Sequence, residues 1–179
     1  MGDLKSKMLS GQQLKRAIPD STIMAHKTVQ RYINPRDLFN HRELPNVCFL
    51  FYENDSDPDG TIYGHWCLLI EYADSFLFFD PYGGSPQSQR ELVNRTFHSY
   101  PYLIDLVEQR AELPLNWSKT QYQSKKEGVN TCGRHVLIRA IHQSKGNAEY
   151  REWMKAKCKK YKTDPDGVVT ILSNQKWGF

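Results

Sequence analysis

The chain has 179 residues, a net charge of +4, 39% apolar residues and 25% charged residues. That is enough chain for one domain with a sizeable core, so a single domain over residues 1–179 is expected and a disordered chain is not. No apolar run approaches the roughly 20 residues of a membrane span, and MGDLKSKMLSGQQLKR at the start has no apolar secretion segment, so neither a membrane partner nor export is expected.

SGQQLKRAIP (10–19) predicts a short helix capped by Ser10 and stopped by Pro19. NVCFLFYE (46–53), HWCLLIEY (65–72) and SFLFFDPY (75–82) are aromatic and branched runs bounded by turn residues, which predict strands. Their nearly continuous hydrophobicity predicts central strands covered on both faces. NDSDPDG puts Asp55, Asp57, Asp59 and Gly60 at the spacing that opens an EF-hand. The twelfth position would be Trp66 instead of a glutamate, so an exposed hairpin loop is expected there. Residues 86–111 are mixed and mostly helical, with a break near Pro101. NWSKTQYQ (116–123) alternates and predicts a further strand, followed by helices over 131–143 and 147–162. The ending VVTILSNQKWGF is apolar enough to pack back onto the domain. DPDG occurs at 57–60 and at 164–167, both read as turns. Strands followed by helices predict an α+β domain with a mixed or antiparallel sheet.

Cys48, Cys67, Cys132 and Cys158 have wide, irregular spacing, so reduced thiols are expected rather than a disulfide framework. Cys132 and His135 make one close Cys/His pair, and no second pair completes a zinc set. No metal or other cofactor is expected. Gly2, with Asp3, Leu4, Lys5 and Ser6 behind it, formally fits a myristoylation pattern, a motif short enough to arise by chance. The densest basic stretch, REWMKAKCKKYK, carries Arg151, Lys155, Lys157, Lys159, Lys160 and Lys162. It reads either as a solvated helix face or as a surface for DNA or another polyanion.

GVNTCGRHVLIRAIHQ (128–143) changes character at Cys132, from small and polar to a buried helical pattern. A thiol there uses the helix N-terminus, and an imidazolium beside it would lower its pKa further. His65 opens one predicted strand and Asp80 closes the next. If the strands turn at Ala73 and Asp74, Tyr82 lies opposite His65, and Asp80 lies diagonally on the same face, about 7–8 Å away at Cα. A carboxylate at that distance can hold the imidazole in one tautomer. Gly133 would leave room for a substrate backbone. Gln121 and Gln123, two apart on a strand, share a face and offer an amide to an oxyanion beside the Cys132 N–H.

The ordered set GHW, FFDPYGG, TQYQ and TCG before an apolar helix resembles the adenain-type cysteine proteases. That clan holds the adenovirus maturation protease and the proteases that deconjugate SUMO-like modifiers. The resemblance runs from about residue 46 to 143. FFDPYG looks most like the acidic segment of the viral members, the capsid-maturation proteases of adenoviruses, virophages and related large DNA viruses. Carried over, Cys132 matches the nucleophile, His65 the base, Asp80 the acidic orienter and Trp66 the tryptophan that flanks the substrate cleft. Gln123 best matches the oxyanion glutamine, although nine positions separate it from Cys132, more than the pattern usually allows; Gln121 is the substitute.

The resemblance implies an adenain-like fold, a sheet flanked by helices with the nucleophile at a helix N-terminus. It implies a monomeric thiol endopeptidase that processes viral structural precursors, in the virion and in the reducing interior of the host cell. Two alternatives stand beside it: deconjugation of a ubiquitin-like modifier, and an inactive binding module of the same fold. A chymotrypsin-like enzyme would share the order His, Asp, Cys but be nearly all β, and a papain-like enzyme places Cys before His.

Overall fold

A computed structural model of the chain describes residues 2–19, 22–25, 47–56, 58–60, 62–88 and 113–179. Its elements are α1 (Gly2–Ser6), α2 (Gly11–Ala17), β1 (Thr22–Ala25), β2 (Val47–Ser56), β3 (Ile62–Glu71), β4 (Phe76–Phe79), β5 (Leu115–Trp117), α3 (Cys132–Ile141), α4 (Asn147–Tyr161) and α5 (Pro165–Trp177). The strands form one sheet in sequence order, antiparallel in the middle and parallel at both edges. The architecture is therefore α+β with a mixed sheet.

The middle of the sheet is set by the turn at Ala73 and Asp74, closed by the Tyr72 N–H on Ser75 O at 2.8 Å. It pairs Glu71 with Phe76 and Leu68 with Phe79. Extending that register past Phe79 puts Cys67 opposite Asp80 and His65 opposite Tyr82. The parity required of the sequence is the one found. His65 does not open its strand, however. β2 runs on to Ser56, which pairs with Ile62, so His65 lies inside β3 across from Tyr52. β4 is shorter than expected and ends at Phe79, because Asp80 and Pro81 begin a turn in which the Asp80 side chain takes the backbone amides.

The predicted strand over 116–123 shrinks to Leu115–Trp117. β5 pairs parallel to β4, and β4 offers nothing beyond Phe79. The chain instead folds over the turn after β4, where the Tyr122 and Gln123 amides both donate to Pro81 O at 2.9 Å. Gly83 permits this contact: its φ is +75°, and a Cβ there would stand 3.0 Å from Gln121 N and Lys119 O.

α3 is buried from Cys132 to Ala140 and packs on β3 and α5. Val136, Leu137 and Ile138 join Phe49, Leu68, Ile70, Leu77 and Phe79 in the main apolar cluster. Each such side chain contributes about 1.5–3 kcal/mol by leaving water, which is what fixes the helix against the sheet. The turn that follows α3 is held by Arg139, whose Nη1 and Nη2 donate to His142 O and Lys145 O at 2.8 Å. α2 begins with the expected cap: Ser10 Oγ accepts from the Gln13 amide, and Gln13 Oε1 accepts from the Ser10 amide. The second DPDG is not a free turn but the start of α5, with Asp164 as its N-cap and Pro165 in its first turn. Helices expected within 86–111 fall outside the described residues, apart from a 3₁₀ turn at Pro86–Ser88, and Asp57 lies outside them as well. Neither α1 nor β1 carries a sequence signal, since each is too short to show a period.

Candidate active site

β3 and the end of β4 bring a histidine and an aspartate together inside the protein. His65 is 4% exposed and Asp80 2% exposed, and His65 Nε2 stands 2.8 Å from Asp80 Oδ1. The carboxylate is held from the other side by two amides. Tyr82 N–H donates to Oδ1 at 2.8 Å, and Gly84 N–H donates to Oδ2 at 3.0 Å. Gly84 has to be glycine for this. A Cβ would stand 2.4 Å from Asp80 Oδ2, inside any tolerable contact. The Tyr82 ring stacks on the imidazole with centroids 4.6 Å apart, so the histidine is clamped in plane as well as at its edge.

Cys132 is the first residue of α3 and is 3% exposed. Its sulfur lies within hydrogen-bonding reach of His65 and of the Trp66 and Gly133 backbone N–H groups. Nε2 is committed to Asp80, which leaves Nδ1 as the second polar atom of the ring. Burial by itself pushes the Cys132 thiol up, but the imidazole and the two amides outweigh it, and the thiol lies below its ordinary range. Burial likewise disfavours a charged His65, yet its pKa is raised well above the usual imidazole value. Cys67, Asp80 and Cys132 all touch the ring. Cys67 is itself pushed up to about 12 and stays a neutral thiol at pH 7. What favours the imidazolium is therefore the Asp80 carboxylate bonded to Nε2 together with the hydrogen bond to Cys132. Asp80, pushed up by burial, is brought below its usual value by His65 and its two amides.

Of the two glutamines, Gln123 is buried and Gln121 is exposed. They do not share a strand face, because no strand is present there. Gln123 Nε2 donates to Val129 O and to Tyr82 Oη, both at 3.2 Å, which ties it to the residue stacked on His65. Gln121 Nε2 donates to Gln123 O at 2.9 Å.

Trp66 and Gly133 are placed differently from the expectation of an open substrate surface. Trp66 is 3% exposed, and its Nε1 donates to Leu9 O at 2.9 Å. A Cβ on Gly133 would stand 2.9 Å from Leu9 Cβ and 3.3 Å from Trp66 Cδ1. The space over Gly133 is thus occupied by the N-terminal segment. That segment is pinned there by Asn130, whose amide donates to Lys5 O at 2.8 Å and whose Nδ2 donates to Ser6 O at 3.0 Å.

Cys67 adjoins the His65–Asp80 pair, a placement that its spacing from the other cysteines does not signal. It lies on the same strand face as His65, two residues along, and the strand register that brings in Asp80 brings in Cys67 too. The ligand atoms of His65, Cys67 and Asp80 all lie within 4.8 Å of one another. Cys48 is wholly buried and pushed up to about 12, Cys158 is half-buried and pushed up by burial, and all four sulfurs are free.

The basic stretch forms most of α4. Arg151, Lys155, Lys159 and Lys162 follow one another at near four-residue spacing and are exposed, while Tyr150 and Met154 face the core. Lys155 Nζ donates to Glu152 at 2.9 Å. Lys160 is exposed and Lys157 half-buried, lying over the rings of Tyr161 and Trp153. Among the described residues no helix is long and apolar enough to cross a membrane.

No protein-family model matches the chain. It is 29% identical over 136 residues to the uncharacterized protein V9 of Sputnik virophage, a match that covers 71% of this chain and 73% of that protein. The similarity supports a viral protein.

Proposed function

We propose that the chain is a cysteine endopeptidase of the adenain type that processes viral structural precursors. The observation that carries this reading is a buried imidazole held by a carboxylate on one side and meeting, on the other, a thiol at the first residue of a helix. The Cys132 thiolate attacks a peptide carbonyl, forming a C–S bond and an oxyanion. The oxyanion takes the Cys132 backbone N–H and a Gln123 side-chain N–H, the one now shared weakly with Tyr82 Oη. The C–N bond then breaks as His65 gives its proton to the leaving amine. Water, deprotonated by the now neutral His65, attacks the thioester; acid is released and the thiolate–imidazolium pair is restored.

The similarity to a virophage protein favours a viral precursor over a cellular modifier as substrate. The purified chain should cleave the capsid precursor of its own virus, read on a gel, and leave a modifier–fluorophore conjugate intact. Turnover of the conjugate alone would make the protein a deconjugating protease. Cleavage of neither would leave a binding module.

DNA is the partner that α4 suits, with its exposed cationic stripe. If four phosphates are neutralised, affinity should fall about a hundredfold between ~50 and ~200 mM salt, through release of counterions. Fluorescence anisotropy with a labelled duplex reads this, and Lys159→Glu with Lys160→Glu should flatten the slope. No binding at low salt would make the stripe a solvated face.

A further inference from the structure

The described residues hold a second buried histidine–aspartate pair that the reaction above does not use. His135 is wholly buried one turn after Cys132, and its Nε2 donates to Asp166 Oδ1 at 3.0 Å. The same oxygen accepts the Thr131 hydroxyl, and Asp166 Oδ2 accepts the Ser124 backbone N–H at 3.0 Å. Asp166 is 2% exposed. It is fixed in the first turn of α5, where Thr170 Oγ1 donates to its carbonyl at 2.7 Å. Gly167 beside it has no room for a side chain, since a Cβ would stand 2.1 Å from Thr163 Oγ1.

The partners of this carboxylate are placed unusually. Thr131 is the N-cap of α3, where a threonine ordinarily accepts a first-turn amide, yet its hydroxyl makes no capping bond and goes to Asp166. Thr131 precedes Cys132, and Ser124 follows Gln123. One carboxylate therefore ties together the two segments that bear the two oxyanion donors. The loop between them, Lys125 to Gly128, is exposed and has no core packing of its own to set their spacing. Burial alone would raise the Asp166 pKa, but its three donors outweigh it and keep the group an anion that accepts at both oxygens.

We propose that Asp166 is the positioning residue of the oxyanion site, fixing the Cys132 amide and the Gln123 side chain at one separation through Thr131 and Ser124, with His135 orienting the carboxylate. The inference rests on the reading of Cys132 as the nucleophile. It adds a requirement that the triad alone does not make.

Asp166→Asn is the direct test, because the amide has the same shape but cannot accept at both ends. Its NH₂ must face the Ser124 N–H, or else Thr131 and His135 must reverse from donors to acceptors. With a fluorogenic peptide amide spanning a cleavage site of the precursor, kcat should fall about 10²-fold while KM stays within about twofold. Alkylation of Cys132 by iodoacetamide needs the thiolate but no oxyanion site, and should stay within about threefold of the wild-type rate. Thr131→Ser should keep activity and Thr131→Val should lose it; that pair carries the test if Asp166→Asn does not fold. A parallel loss of alkylation and cleavage would mean a general structural role and would overturn the proposal. So would an Asp166→Asn enzyme as active as wild type. A wild-type chain that cleaves no peptide would sink the protease reading itself, and the inference with it.

Discussion

At pH 7, iodoacetamide should modify Cys132 selectively and leave Cys48 and Cys67 untouched. The ordering follows from two environments. Cys48 and Cys67 are wholly buried and pushed up to about 12, so neither presents a thiolate. Cys132 is pulled below its ordinary value by His65 and the amides of Trp66 and Gly133. The sign follows directly. A lowered thiol pKa means thiolate is present above that value, and a raised imidazole pKa means the proton on His65 is lost only above its own raised value. The ion pair occupies the window between the two. His65→Ala removes its positive partner and should cut the alkylation rate at pH 7 by about tenfold or more, toward the few per cent thiolate of an ordinary cysteine. Cys132→Ala should abolish peptide cleavage at a cost of about 1 kcal/mol, or about 2–4 °C in Tm at this size. Peptide mapping by mass spectrometry and a thermal melt read both. Proteolysis that survives Cys132→Ala would end the hypothesis.

Asp80→Asn should lower kcat by about 10²-fold, within the range by which positioned acid–base groups contribute. The carboxylate does two things here: it holds Nε2 of His65, and its charge favours the imidazolium that must protonate the leaving amine. The amide keeps the shape and loses the charge. The Asp80→Asn enzyme should therefore lose its alkaline activity at lower pH than wild type, because His65 gives up its proton sooner. Asp74 is the internal control. It is exposed at the β3–β4 turn and, among the described residues, accepts from the neighbouring Ser75 Oγ at 3.0 Å, so Asp74→Asn should change kcat by less than about twofold. Equal losses at both positions would show that the strand register, and with it the whole site, had been placed wrongly.

The meeting of His65 with Asp80 was legible because a hairpin register follows from its turn alone. Once Ala73 and Asp74 turn the chain, alternation decides which side chains share a face. The same arithmetic puts Cys67 opposite Asp80, so that neighbour is legible from the register too. Cys132 at a helix start was visible in the shift from small polar residues to a 3.6-residue apolar period. The glutamine could not be chosen this way. Alternation gives Gln121 and Gln123 equal standing, and the choice depends on where the chain leaves β5 to cross the Asp80–Gly84 turn.

By itself, then, the sequence determined the α+β class, the pairing of the two strands that meet at Ala73 and Asp74, the face shared by His65 and Asp80, and the helix that begins at Cys132. Each of these depends on periods and turns that act over a few residues. The tertiary structure decided the rest: that Leu9 and Trp66 fill the space over Gly133, that the buried Arg139 holds the turn after its own helix, and that Asp166 reaches back to Thr131, His135 and Ser124. These contacts join residues 31 to 124 positions apart, or bury charges that composition assigns to the surface. Burial decides them, because a buried carboxylate or guanidinium must find every donor or acceptor within reach, and local sequence does not specify which distant segment supplies it.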